Sequence, residues 1–435
     1  MNSLQKYTTI GDVKKAKRIE TGIELRLEKG LASIHVFAEN LIRIRITFTD
    51  NLNEDFSYAV IKPLDKWSKI PFNIDENETE IILKTESLIM TISKKPFKLI
   101  VVERKNPKNS LFKDYVKGHN SFGACIHRKN NVRSYKIIDP DTHFYGFGEK
   151  TGPLDKMGQK MVMNAVDMPY SGDKDPLYQS HPFFISIRND TAHAIFFDNI
   201  SKTTFDMGNS NENYYYFDAK EGELNYYLIY GPDIDNILRT YTELTGRMEL
   251  PPKWAIGYHQ CRYSYKNEKE VREICKKFRE NNVGCDGIWF DIHYMDGYRC
   301  FTFNKKRFPD PKGLLGELKQ DGFHPIVIVD PGIKVDKDYK IYQELIENEY
   351  FTKNKEGKPS KGWVWPGLTN FPDFTLEKVR KWWADKHKFY FDLGVEGIWI
   401  DMNEPALSIN PLLSLPLRIH DMYLDNQGQN TPIQN

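Results

Sequence analysis

The sequence predicts an α/β plus β protein, with a sheet-rich domain over residues 1–248 and a parallel α/β domain over 249–435. Three observations carry this. Apolar and polar residues alternate at period two through the first half, as in sheets with one buried face. Past the Pro251-Pro252 pair, a credible boundary, short apolar runs alternate with amphipathic helical segments, the pattern of a parallel sheet. Three of those later runs end on an aspartate.

In the first domain, "IELRL" places Ile23, Leu25 and Leu27 on one face, and "LIRIRITF" does the same with Ile42, Ile44, Ile46 and Phe48. "FFISIRNDTAHAIFFDN" reads as two strands turning at Asn189-Asp190, and "NYYYFDAKEGELNYYLIYG" turns at Lys220-Glu221-Gly222. The segment "DIDNILRTYTELTG" is helical and ends at Gly246. In the second domain, "KWAIGYHQCRY" reads as a strand. A helix follows with Val271, Ile274, Cys275 and Phe278 on one face and Gly284 as its stop. Next come a run into Asp291, the helix "PKGLLGELKQDGF" and a buried strand into Asp330. A long insertion precedes a helix that aligns Val379, Trp382 and Trp383, and "VEGIWID" then delivers Asp401.

Composition narrows the function classes. Charged residues make up 28% and hydrophobic ones 40%, as in a soluble globular chain. The net charge of +1 argues against nucleic acid as a partner. The five cysteines are scattered with no CxxC pair, which suits a reducing compartment and gives no disulfide framework or zinc site. No apolar run approaches the roughly 20 residues of a membrane span, and the N-terminus lacks a signal-peptide core. The expectation is a cytoplasmic protein with no membrane partner.

The strand ends carry the chemistry. In a parallel α/β sheet or barrel the C-terminal strand ends open onto one face, where ligands bind. Asp291, Asp330 and Asp401 would meet there, with His259, Arg262 and Tyr263 on the same rim. Any one such aspartate can simply cap the following helix. Three together suit glycoside hydrolysis, which needs carboxylates at the anomeric carbon and aromatic faces for the ring. They also suit a divalent-metal site. Periodicity leaves both open.

The blocks "GYHQCRYSY", "IWFDIHYMDGYRCFTFNKKRFPDP", "IVIVDPGI", "WVWPGLTNFPDFT" and "GIWIDMNEP" together resemble family 31 of the glycoside hydrolases, in its α-glucosidase branch. They occur in family order and spacing, and the likeness extends upstream through "FYGFGEKTGPLDKMG". The resemblance implies an N-terminal β-sandwich followed by a (β/α)8 TIM barrel. It implies a retaining enzyme, without cofactor or metal, that cleaves terminal non-reducing α-linked glucose from oligosaccharides. Asp401 would be the catalytic nucleophile. Asp291 and Asp330 would hold hydroxyls of the terminal glucosyl unit. Tyr263, Ile292, Trp365, Trp399 and Met402 would wall its subsite, and Asp167 would reach over the pocket on a loop from the first domain.

The resemblance also makes Glu404 structural; His259 and Arg262 read as braces of the strand end rather than catalytic groups, and Trp382 and Trp383 as helix-to-sheet packing. His293 stands where many relatives carry an aspartate. Relatives acting on α-xylosides tend to carry "DFGE" in place of "DMNE" and a Cys-Phe pair in place of Ile292-His293. Family members continue far beyond the nucleophile, to four more strands and a general acid/base aspartate. The expectation is therefore a truncated barrel of about four strands with open edges. Such a chain would be inactive alone, a glycan-binding remnant, or one half of a split enzyme completed by a C-terminal half or by self-association.

Overall fold

The computed structural model describes residues 3–127, 131–164, 166, 174–177, 179–403 and 405. The chain divides into two compact units, Met1–Met248 and Glu249–Asn435.

The first unit is built on an eight-stranded antiparallel sheet. Its spatial order is Thr142–Gly148, Ser180–Arg188, Thr191–Phe197, Leu224–Tyr230, Leu41–Thr47, Gly30–Ala38, Gly22–Leu27 and Val13–Ile19. A six-stranded and a five-stranded sheet share a core with it. Ile44, Ile46 and Leu228 of the large sheet cluster with Phe205 and Phe217 of the second and with Leu83, Met90 and Leu99 of the third. On the other face of the large sheet lies the helix Ile234–Thr245. The Asp233 side chain caps its start by accepting the Asn236 N–H at 2.8 Å. Ile237 and Leu244 of this helix pack against Phe183, Ala194, Phe196, Tyr227 and Ile229.

This second covered face corrects the expectation of one buried face. Leu41–Thr47 is buried at every position, including Arg43 and Arg45. The two guanidiniums are tolerated because they are matched. Arg43 forks onto Asp55 at 2.7 and 2.8 Å and donates to Asn225 at 2.9 Å, while Arg45 donates to Glu223 at 3.0 Å. The turn at Lys220-Glu221-Gly222 is also not a hairpin. Tyr214–Ala219 pairs in the six-stranded sheet and Leu224–Tyr230 in the eight-stranded one. Both strands are buried on both faces, so each takes a central place in its own sheet.

The second unit carries a four-stranded parallel sheet in sequence order: β1 (His259–Gln260), β2 (Gly287–Phe290), β3 (His324–Val329) and β4 (Gly397–Ile400). Helix α1 (Glu268–Glu280) joins β1 to β2, and α2 (Pro311–Gln320) joins β2 to β3. Between β3 and β4 run α3 (Lys340–Glu347), a small antiparallel sheet (Ile333–Lys334, Gly362–Val364, Gly367–Asn370) and α4 (Glu377–Leu393). Asn267 and Asp310 cap α1 and α2 through Glu270 N–H and Gly313 N–H. Ile288, Phe290, Val327 and Val329 of the sheet bury against Val271 and Cys275 of α1 and Leu314, Leu315 and Leu318 of α2.

Two local expectations are corrected here. Only His259–Gln260 of the first predicted strand pairs, because Pro252 leads into a 3-10 turn over Lys253–Ile256 that uses up the preceding residues. Helix α1 ends at an Asn281 cap, and Asn282 takes the left-handed conformation (φ 52°), so Gly284 is not its stop. Among the described residues β1 and β4 each pair on one side only, and Ile400 of β4 is 68% exposed.

The first unit also holds a fully buried ion pair. Lys136 Nζ lies 2.5 Å from Asp114, which also accepts the Leu99 N–H at 2.7 Å; neither charged side chain reaches solvent. Lys136→Met leaves that carboxylate buried and unmatched, and should cost about 3–5 kcal/mol of unfolding free energy. An unchanged denaturant midpoint with unchanged slope contradicts this.

Candidate active site

Strand register decides which side chains share a face. Phe290 pairs with Val327, and Val329 with Ile400. Paired residues of parallel strands point to the same side, and the side alternates with each residue. Asp291, Asp330 and Asp401 each follow directly on their strand's last residue. They therefore leave one edge of the sheet on one face, the face that also carries Trp289, Ile328 and Trp399.

Below the acids lies an aromatic layer. The Trp289 and Trp399 rings meet edge-on at 5.5 Å. Trp289 donates its indole N–H to His259 Nδ1 at 3.1 Å, and His259 Nε2 donates to the Trp254 carbonyl at 2.9 Å. His259 is thereby locked into the strand end as a brace. Arg262 lies over the Tyr265 ring at 5.9 Å.

The three carboxyls feel one another. Asp330 is only 3% exposed, and its Oδ1 has no hydrogen-bond partner among the described residues. Burial, followed by the charges of Asp401 and Asp291, lifts its pKa from the ordinary 3.8 to about 7. Burial also raises Asp291. The Ile292 N–H, at 2.7 Å, and His293 pull it back, while Asp401 adds to the rise. Among the described residues no group of three His, Cys, Asp or Glu side chains is placed to hold a metal ion. The aspartates form an electrostatic cluster.

The remaining candidates fall in different places. Tyr263 is 64% exposed and its ring lies 5.9 Å from that of Trp365, which sits at the tip of the Gly362–Val364/Gly367–Asn370 hairpin. Gly367 at φ +102° closes that hairpin. Ile292 is sealed in the core, 1% exposed, and only its backbone N–H reaches the acids; the expected wall of its side chain is not on the open face. Met402 is half-buried and adopts a left-handed φ of 61°, turning the chain sharply after Asp401. Asp167 and Glu404 lie outside the described residues. Trp382 donates to Glu344 at 2.8 Å, and Trp383 packs edge-on against Phe301 at 5.0 Å.

Sequence reasoning missed the residues that hold the end of β3. The Phe301 N–H donates to the Tyr390 hydroxyl (2.7 Å), which lies 2.9 Å from the Tyr294 hydroxyl, and Tyr294 donates to the Ile328 carbonyl (2.7 Å). The Cys300 thiol donates to the Asp330 carbonyl, and the Tyr339 hydroxyl to the Cys300 carbonyl at 2.7 Å. No spacing rule finds this chain, since its members sit on a loop and on two helices.

A parallel βα sheet whose C-terminal edge gathers acids over aromatic rings defines the class of barrel-type proteins that bind ligands at that edge. The model of the glycosyl hydrolases family 31 TIM-barrel domain matches residues 248–423, and that of the glycosyl hydrolase 31 N-terminal galactose mutarotase-like domain matches 31–206. The chain belongs to glycoside hydrolase family 31. It is 44% identical to alpha-glucosidase 2 of Bacillus thermoamyloliquefaciens over 95% of its own length and 51% of the relative's. It is 39% identical to an alpha-glucosidase of Saccharolobus solfataricus over 68% of its length and 44% of the relative's. A Flavobacterium johnsoniae family 31 dextranase, solved in complex with glucose, superposes with a TM-score of 0.85 at 31% identity, over 92% of this chain and 48% of that one. The chain thus spans about half the length of the curated relatives it matches.

The Asp330 carboxyl holds its proton more tightly folded than unfolded. Its contribution to stability is complete below about pH 4 and is lost as pH rises to about 7. Asp330→Asn should therefore gain roughly 2–4 kcal/mol over the parent at pH 8 and far less at pH 4.5. Equal gains at both pH values in urea melts would mean that this proton is not the cause.

Proposed function

We propose that this chain carries the nucleophile-bearing half of a retaining α-glucosidase site. The observation that carries the reading is the register-set cluster of Asp291, Asp330 and Asp401 over the Trp289–Trp399 pair. Asp401 attacks the anomeric carbon of a terminal α-glucosyl unit and forms the C1–O bond as the bond to the leaving oxygen breaks. Water then attacks C1, releases Asp401 and restores the α configuration. Asp330, neutral up to about pH 7, donates to a sugar hydroxyl, while Asp291 accepts from another. Trp399, Tyr263, Trp365 and Met402 border the ring. The printed names of the relatives, alpha-glucosidases and a dextranase, support an α-glucoside oligosaccharide as substrate.

No described residue is assigned as the acid that protonates the leaving oxygen, a role worth about 10²–10⁴-fold in rate. In this reading the four parallel strands are one half of an eight-strand barrel. The acid comes with the other half, whether later in the same polypeptide, on a second chain, or through self-association at the open edges of β1 and β4. The five free thiols support the reading of a cytoplasmic protein.

The leaving group tests this division. Fluoride departs without a proton, so the chain should turn over α-glucosyl fluoride but leave maltose nearly untouched. Asp401→Gly should lose the fluoride reaction by about 10³-fold or more, and azide should restore it with β-glucosyl azide as product. Brisk maltose hydrolysis by this chain would place the acid within it. Fluoride turnover that survives Asp401→Gly without azide would remove Asp401 as nucleophile.

A further inference from the structure

Burial falls off in steps along the acidic edge. Asp330 and Asp291 are almost wholly covered, His293 is half-buried, and Tyr263 and Trp365 stand largely open. The outer three touch. The Tyr263 ring lies 5.9 Å from Trp365, tilted by 39°, and 5.8 Å from His293 at 82°. The His293 ring also meets Tyr298 edge-on at 5.8 Å. Two large rings in contact and exposed together form a patch that burial of the core does not need.

The two ring nitrogens of His293 are not equivalent. Nδ1 is buried with no hydrogen-bond partner among the described residues, whereas Nε2 is not sealed off in this way. The backbone is pinned on both sides: its N–H reaches Ser264 Oγ at 3.4 Å and its carbonyl accepts from Arg307 at 3.3 Å. Burial and the Arg307 charge keep the ring neutral, so it carries a single proton. A bare ring nitrogen is less costly to bury unpaired than an N–H. That assigns the proton to Nε2 and turns the accessible nitrogen into a fixed donor at neutral pH.

We propose that His293, in contact with the Tyr263 ring that borders the terminal sugar, is a specificity-determining residue that meets the second sugar ring of the substrate. His293 Nε2–H donates to one of its hydroxyls, and so selects the α-linkage that brings that hydroxyl within reach. This inference rests on Asp401 acting on the terminal ring, since the rim then lies one ring further out.

The test reads inhibition of α-glucosyl fluoride turnover by glucose, which fills one ring site, and by maltose and isomaltose, which fill two. Both constants are taken on one preparation, so loss of folded protein cancels from their ratio. For whichever disaccharide the parent binds more tightly, H293A should raise the ratio of its inhibition constant to that of glucose about tenfold, the worth of one such hydrogen bond. H293Q, whose amide nitrogen reaches the Nε2 position, should restore most of the ratio, and H293N should not. A ratio unchanged in H293A, or restored equally by both amides, overturns the proposal. If the parent chain gives no fluoride turnover, the nucleophile reading itself fails and this inference falls with it, before any variant is compared.

Discussion

Coulomb repulsion at the end of the parallel sheet is the constraint on which the second unit depends. Backbone pairing sends Asp291, Asp330 and Asp401 out of the same edge on the same face, and no rotamer choice returns them to separate surroundings. Three charges cannot be held there at once without cost, so the cluster shares its burden by protonation. Asp330, the deepest, holds its proton up to about pH 7, and Asp291 is pulled back by a backbone N–H and by His293. The arrangement gives a folded protein at a cost in stability, which is the usual mark of a site that serves a ligand rather than the fold.

Such a cluster must be held by something stiffer than itself. The Tyr294–Tyr390 hydroxyl pair clamps the end of β3, and the Cys300 thiol reaches the carbonyl of Asp330. Beneath, His259 ties Trp289 to the Trp254 carbonyl and fixes the aromatic floor. These groups are buried and matched, so they fix position without adding charge. Around them, α1 and α2 pack on the face of the sheet opposite the acids.

The first unit solves the opposite problem. There the central strands of the large sheet are covered on both faces, and charge has to be carried inside. Arg43 forks onto Asp55, Arg45 reaches Glu223, and Lys136 sits against Asp114 with no solvent contact. Each of these three cations is met by a carboxylate. Matched pairs mark a scaffold, and the unmatched acids of the second unit mark a site.

Much of this was legible in the residues. Period-two alternation gave the strands of the first domain, and the change to apolar runs between helices gave the parallel sheet. An apolar run ending on Asp401 named the acid, because a strand's length and its terminal residue are local facts. The family likeness added roles that periodicity could not. What the tertiary structure alone decided was everything set by a second surface. Leu41–Thr47 is buried on both sides because a helix and the loops above supply a covering that no strand carries in its own pattern. The segment after Ala219 changes sheets because burial, not turn chemistry, chooses a strand's neighbours. Ile292 turns inward, and only its N–H reaches the acids. Chain-local spacing records which face a residue occupies. Only packing decides what meets that face, and so which of three identical aspartates keeps its proton.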